Sequence, residues 1–100
     1  MHQDFSSLYN HHEREVFTAV VDAAQDYPGL SIDEDLLADV ACVALNRLPP
    51  RYIRHEVDFS FYLTEHERLE IDAAISEAVT YAFNFVQART ALRSRSGGSR

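Results

Sequence analysis

Three times in 100 residues a small polar side chain stands three places ahead of a glutamate and just before an apolar-periodic run. The three are Asn10-His11-His12-Glu13, Ser31-Ile32-Asp33-Glu34 and Thr64-Glu65-His66-Glu67. At that spacing the first side chain accepts a backbone N–H inside the new helix while the glutamate reaches back, so donors that a helix start leaves unpaired are satisfied. The pattern confines the chain to three main helices. After the first start, Val16, Phe17, Val20, Val21, Ala24 and Tyr27 recur at helical spacing up to the Pro28-Gly29 break. After the second, Asp33, Glu34 and Asp35 suit the positive end of a helix. Leu36, Leu37, Val40, Ala41, Ala44, Leu45 and Leu48 then form a stripe that stops at Pro49-Pro50, where neither residue can donate a helix hydrogen bond.

The third start opens the longest helix, expected to run to about Ala91. Ile71, Ile75, Ala78, Ala82 and Phe85 make one seam, with Val79, Phe83 and Val86 beside it. An apolar surface that wide calls for two partners, one being the domain core and the other a second subunit. Between the prolines and this helix the period changes. Val57, Phe59 and Phe61 alternate with Glu56, Asp58 and Ser60, which reads as a short half-buried strand over 56–61. Such a strand needs an edge to pair with, and a second copy of itself would supply one. The expected architecture is therefore mainly α: a small homodimeric domain of three main helices with one short strand. Residues 1–8 read as a flexible N-terminus, 9–90 as the helical domain, and 91–100 as a disordered Arg/Ser/Gly tail.

Charge narrows the function. All nine basic residues are arginines, and four of them (Arg89, Arg93, Arg95 and Arg100) fall in the last twelve positions. Up to Gln87 five arginines face sixteen acids, a body that repels a polyanion such as duplex DNA except where arginines cluster. Binding to polymeric nucleic acid is not expected. No apolar run approaches the ~18 residues of a membrane span. Met1-His2-Gln3-Asp4 has none of the basic and apolar start of a secretory signal, and a cytoplasmic location is expected.

Catalytic and metal-binding patterns are scarce. His11 and His12 are adjacent and point about 100° apart on a helix. His66 and Glu70 share a face at i and i+4, but no HExxH spacing exists. Cys42, the one cysteine, lies among Val40, Ala41, Val43 and Ala44, and is expected to be a buried, inert thiol. No serine occupies a GxSxG elbow, and three glycines cannot build a phosphate-cradling loop. The expectation is a protein without enzymatic activity, resident metal or cofactor.

One segment stands apart. The segment from Asp39 to Arg54, with Asn46-Arg47-Leu48-Pro49-Pro50-Arg51-Tyr52-Ile53-Arg54 at its end, holds three of the body's five arginines within eight residues, around a stiff Pro-Pro. Arg47, Arg51 and Arg54 offer planar forks that grip phosphates bidentately or read a guanine edge. Tyr52 can stack on a base. Asp39 or Asp58 can accept hydrogen bonds from a guanine Watson–Crick edge. The plainer alternative is that Asn46 and Arg47 finish a helix C-terminus while Arg51 and Arg54 pair with Glu56 and Asp58. Spacing alone leaves both open.

Asp39-Val40, the run Ala44-Leu45-Asn46-Arg47-Leu48-Pro49-Pro50-Arg51-Tyr52, and Asn10-x-x-Glu13-x-x-Val16 resemble the late-competence ComFB-like family. The phenylalanine-rich stretch from Arg54 to Leu63 and the long helix after it fit proteobacterial-style members. The resemblance covers roughly residues 8 to 88 and implies a compact helical homodimer. Some members hold zinc through several cysteines, a site that Cys42 alone cannot provide. Others are receptors for cyclic di-GMP, and cyclic di-AMP is also associated with the family. The resemblance thus implies cyclic di-GMP as a regulatory ligand; the ligand-binding candidates Asn46, Arg47, Arg51, Tyr52, Arg54, Asp39 and Asp58 rest on their own chemistry in and around the matching motif. An unidentified downstream protein would be the partner. The rival expectation is a dimeric protein-docking module without a small-molecule ligand.

Overall fold

Asn10 sets both the start of the first helix and the position of a strand 41 residues away. Its side-chain oxygen accepts the His12 N–H at 3.2 Å and the Arg51 N–H at 3.0 Å. The computed structural model describes residues 3–98. In chain order it has β1 (Tyr9–Asn10), α1 (His12–Ala23), a single 3-10 turn (Ala24–Asp26), α2 (Glu34–Arg47), β2 (Tyr52–Ile53), α3 (Glu56–Tyr62) and α4 (Glu65–Gly98). β1 and β2 pair antiparallel, with Tyr9 opposite Ile53 and Asn10 opposite Tyr52. His11 N–H donates to the Arg51 carbonyl at 2.7 Å and extends that ladder into α1.

The core is one cluster at the junction of α1, α2 and α4: Val16 and Val20 from α1, Val40, Ala41 and Ala44 from α2, and Ile75, Ala78, Val79, Ala82, Phe83 and Val86 from α4. Tyr27 closes one end by stacking on Phe83, with ring centroids 4.4 Å apart and planes 6° from parallel. α4 packs against both other long helices. The second face, expected to meet a second subunit, is covered within the same chain: α1 and α2 together bury both apolar seams except for half-buried Ile71 and exposed Phe85. Phe17 and Val21, expected on the inner face of α1, are exposed instead. They lie to one side of the Val16–Val20 line, and a single helix facing two neighbours covers only part of its apolar arc.

Four local expectations are corrected. The residues read as a strand over 56–61 form α3, whose turns close through Phe59 N–H to the His55 carbonyl and Leu63 N–H to the Phe59 carbonyl. A helix satisfies its own backbone, whereas a strand here would need an edge, and the nearby edge of β2 is taken by β1. Of the alternating apolar residues only Phe59 is buried; Val57 and Phe61, one helical turn apart, are 74% and 83% exposed. The second helix is capped by Asp33, whose carboxylate accepts from Asp35 and Leu36, while Ser31 donates to the Pro28 carbonyl in the preceding turn. Cys42 is exposed, on the outer face of α2. Finally, α4 continues past Ala91 into the segment expected to be a disordered tail, as far as Gly98; residues 99–100 of that segment lie outside the described residues. Thr90, Ala91, Leu92 and Arg93 carry no helix breaker.

That continuation gives α4 34 residues, about 51 Å at 1.5 Å per residue. The molecule measures 55 × 41 × 20 Å with a radius of gyration of 16.6 Å, above the ~13 Å of a spherical 100-residue domain. No helix among the described residues is long and apolar enough to cross a membrane.

Candidate functional site

The sequence candidates occupy two stations. The first is built on α2 and α4. Arg47, in the last turn of α2, lays its guanidinium 3.9 Å from the centre of the Tyr81 ring and reaches Glu77 Oε1 at 3.6 Å. A planar cation on an aromatic face is an electrostatic contact that also fixes the plane of the fork. Two turns back along α2, Asp39 is bound to Arg89 at 3.2 Å, and Arg89 leans towards the Phe85 ring at 5.8 Å. Asn46 lies between, its amide N–H donating to Cys42 Sγ at 3.6 Å. Asp39 is thus engaged with α4 through one carboxylate oxygen, Oδ2.

The second station is built on the junction of β1, β2 and α3. Arg51 is held by its backbone: its N–H goes to Asn10 and its carbonyl accepts from His11. Its guanidinium lies 5.0 Å from the Phe59 ring, which also packs against the His11 imidazole at 4.0 Å. Tyr52 and Arg54 are exposed beyond it. Glu56, which the plainer alternative pairs with Arg51 or Arg54, is instead 3.9 Å from Arg14. The side chain of Asp58, another candidate, lies outside the described residues.

Beneath this station is an open-sided cavity of about 260 Å³ lined by His12, Pro49, Pro50, Arg51, Glu70 and Ile71, among others. Arg47 is not among its lining residues, so the two arginines do not share a pocket within one protomer. His12 is only 6% exposed, and its Nδ1 has no hydrogen-bond partner. Burial holds its pKa below the ordinary histidine value, and the charges of His11 and Arg51 act the same way against a hydrogen bond to the Pro49 backbone. The imidazole is therefore neutral near pH 7. A wider groove of about 480 Å³ between α1 and α4 carries Glu15, Asp22 and Asp72, charges that repel a phosphate. Among the described residues no group of three or more metal-binding side chains converges. His66 and Glu70 meet at 2.8 Å as their i, i+4 spacing allows.

Several of these residues escape a sequence reading. Tyr81 and Glu77 lie 30 or more positions from Arg47, and nothing local marks them. Phe59 is hidden by the alternation that suggests a strand. Asn10 carries a visible signal, its capping position, but the same oxygen's hold on Arg51 has none.

The pairing of Asn10 with the segment after Pro49-Pro50 joins the two motifs that resemble one family. The family model described as late competence development protein ComFB matches residues 9–90. The chain belongs to the ComFB family. The match begins at β1 and ends at Thr90 in α4, so it spans both stations and the whole core. Comparison with curated proteins gave no match, and neither did comparison with solved structures.

Proposed function

We propose that this ComFB-family chain is a non-catalytic receptor for a cyclic dinucleotide, cyclic di-GMP being the preferred candidate, and that it acts as a homodimer on a downstream protein. The observation that carries this reading is the pair of aromatic-backed arginines. Arg47 on Tyr81 and Arg51 on Phe59 present guanidinium planes already oriented, so less entropy is lost when they grip a phosphate or a guanine edge. The two-fold symmetry of such a ligand suits two protomers. A cavity of about 260 Å³ is below the ~300–1,000 Å³ of small-molecule sites, so each protomer would supply half of the site. Binding would select one dimer arrangement over another and so change the affinity for the partner.

Calorimetric titration with cyclic di-GMP, with cyclic di-AMP and GTP as controls, tests the reading. Micromolar or tighter binding of cyclic di-GMP and none of GTP is expected. Alanine at Arg47 or Arg51 should each remove about 1.5–3 kcal/mol of that affinity, the range of a charged hydrogen bond. Absence of heat and of thermal stabilisation would reject it. The exposed Val57 and Phe61 on α3, with Tyr62 edge-on to Phe61 at 5.4 Å, favour a second reading, a protein-docking module. Under that reading Arg47 variants change melting temperature with no ligand dependence.

A further inference from the structure

One apolar stripe of α4 stays exposed beside α2. Tyr81, Phe85 and Leu92 are 42%, 44% and 63% exposed, and Ala74 and Ala88 are exposed with them. At about 100° per residue the five fall within an arc roughly 60° wide. Tyr81, Phe85, Ala88 and Leu92 are spaced four, three and four residues apart, the alternation by which one helix seats another. Arg47 and Arg89 border the stripe against the Tyr81 and Phe85 rings. Tyrosine, phenylalanine and arginine are the side chains enriched where proteins meet.

Charge favours a second copy of this chain as the occupant. The net charge is -7, so two copies repel unless they meet where acids are few. From Ala73 to Arg93 α4 has one acid, Glu77, against two arginines, Arg89 and Arg93. Glu77 is paired with Arg47, and Arg89 with Asp39, so neither adds a bare charge to the surface. The other exposed apolar pair, Val57 and Phe61, lacks this advantage: α3 and the first turn of α4 carry Glu56, Glu65 and Glu67.

The stripe also complements itself. In a two-fold contact, residue i of one copy meets residue j of the other and j meets i. When two α4 helices run antiparallel about an axis level with Phe83, the partner's Phe85 stands at the level of Tyr81. The partner's Arg89 stands at the level of Glu77, and the partner's Leu92 at that of Ala74. A parallel pair would set Glu77 level with its own copy. Ala74 lines the open-sided cavity of about 260 Å³ under Pro49-Pro50, with Leu48 and Ile71 also in its walls. Its charged members, Arg51 and Glu70, are of opposite sign. A large exposed apolar side chain thus meets a small one beside a hollow, as a knob meets a hole.

We infer that two copies join through this stripe of α4 in antiparallel register, each seating its Leu92 beside Ala74 of the other. The inference rests on the homodimer of the receptor reading and supplies its interface. It brings the partner's Phe85 to the ring on which Arg47 lies, so the Arg47 station is completed by the second copy. A ligand entering the cavity has to displace the partner's Leu92, which is how binding would exchange one dimer arrangement for another.

Sedimentation of the whole chain and cysteine cross-linking in a Cys42→Ser background test it. Wild type is expected to sediment as a dimer at tens of micromolar, and Leu92→Glu and Phe85→Glu to raise its dissociation constant at least tenfold. Ala74→Cys mixed with Leu92→Cys should be joined by a short bismaleimide. Either variant alone should not, because this register sets each residue about 27 Å along the helix from its own copy. If the melting curve of Phe85→Glu shows that it does not fold, Leu92→Glu and the cross-link decide. A dimer unweakened by Leu92→Glu, or cross-linked by Ala74→Cys alone, would overturn this interface and leave the homodimer standing. A chain that stays monomeric would overturn the interface and the homodimer together, while calorimetric titration still decides the ligand.

Discussion

The two arginine stations differ in what holds them. Arg47 stands on α2 against α4, two helices joined through a buried apolar interface that includes Val40, Ala44, Ala82 and Val86. Arg51 stands just before a two-residue strand, tied down by Asn10 and His11, with buried Phe59 of a seven-residue helix against its guanidinium. The first station therefore moves only if the core moves. The second depends on a few hydrogen bonds, each worth about 1 kcal/mol net, and can open while the core stays closed. Under the proposed receptor reading, the fixed arginine would anchor a ligand and the looser one would record its arrival.

The largest effect expected on this contrast is to remove it. Phe83→Ala empties a fully buried site stacked on Tyr27 and should cost about 3–5 kcal/mol of stability in denaturant unfolding, taking both stations down together. A loss under 1 kcal/mol would mean that the core does not hold the Arg47 station. Asn10→Ala should separate the stations. It removes the acceptor of the His12 N–H at the start of α1, a loss of the helix-start kind worth about 0.5–2 kcal/mol, and frees the Arg51 N–H. Hydrogen exchange should then rise at Arg51 and His11 but not along α2; equal protection in both regions would contradict the separation.

A pH titration probes the second station from another side. The folded-state pKa of His12 is below its unfolded value near 6.5, so the unfolded chain binds more protons as pH falls through that value. Stability should therefore be complete above about pH 7, decline as pH drops below 6.5, and level off once the folded-state pKa is passed. The groups facing His12, namely His11, Arg51 and Glu70, should be followed in the same titration. His12→Phe should flatten this part of the profile, and an unchanged profile would assign it to other groups. The smallest effect belongs to Glu77→Gln. Its pair with Arg47 is exposed, and stability should change by no more than about 1 kcal/mol, because the Tyr81 ring still holds the guanidinium.

Much of the helical frame is legible in the chain. The Thr64 capping box works as its spacing says, with Thr64 Oγ1 accepting from Glu67 N–H at 3.1 Å. Pro49-Pro50 ends α2 at Arg47, and the α2 stripe meets the core where its periodicity places it. The second cap shows the margin of error. Ser31 and Asp33 both precede a run of acids, and only the turn through Pro28 and Leu30 decides that Asp33 is the residue left facing the first free N–H groups. Residues 56–62 show a larger failure. Seven residues with alternating apolar side chains satisfy a strand pattern, and the same seven can be a helix with one inward residue.

The sequence by itself placed the starts of the three long helices to within about three residues, the stop at Pro49-Pro50 and the family the chain resembles, because capping, proline geometry and apolar period act over three to seven residues. It also singled out Arg47 and Arg51, since clustered arginines around a stiff Pro-Pro are visible without a fold. Only the tertiary structure decided that Arg47 rests on Tyr81, that Arg51 rests on Phe59 and hangs from Asn10, that Asp39 is bound to Arg89, and that His12 is buried beside a cavity with Glu70. These partners lie from 8 to about 60 positions apart in the chain. Their meeting depends on how three helices pack around one core, a property of the summed burial of many side chains and of no short stretch alone.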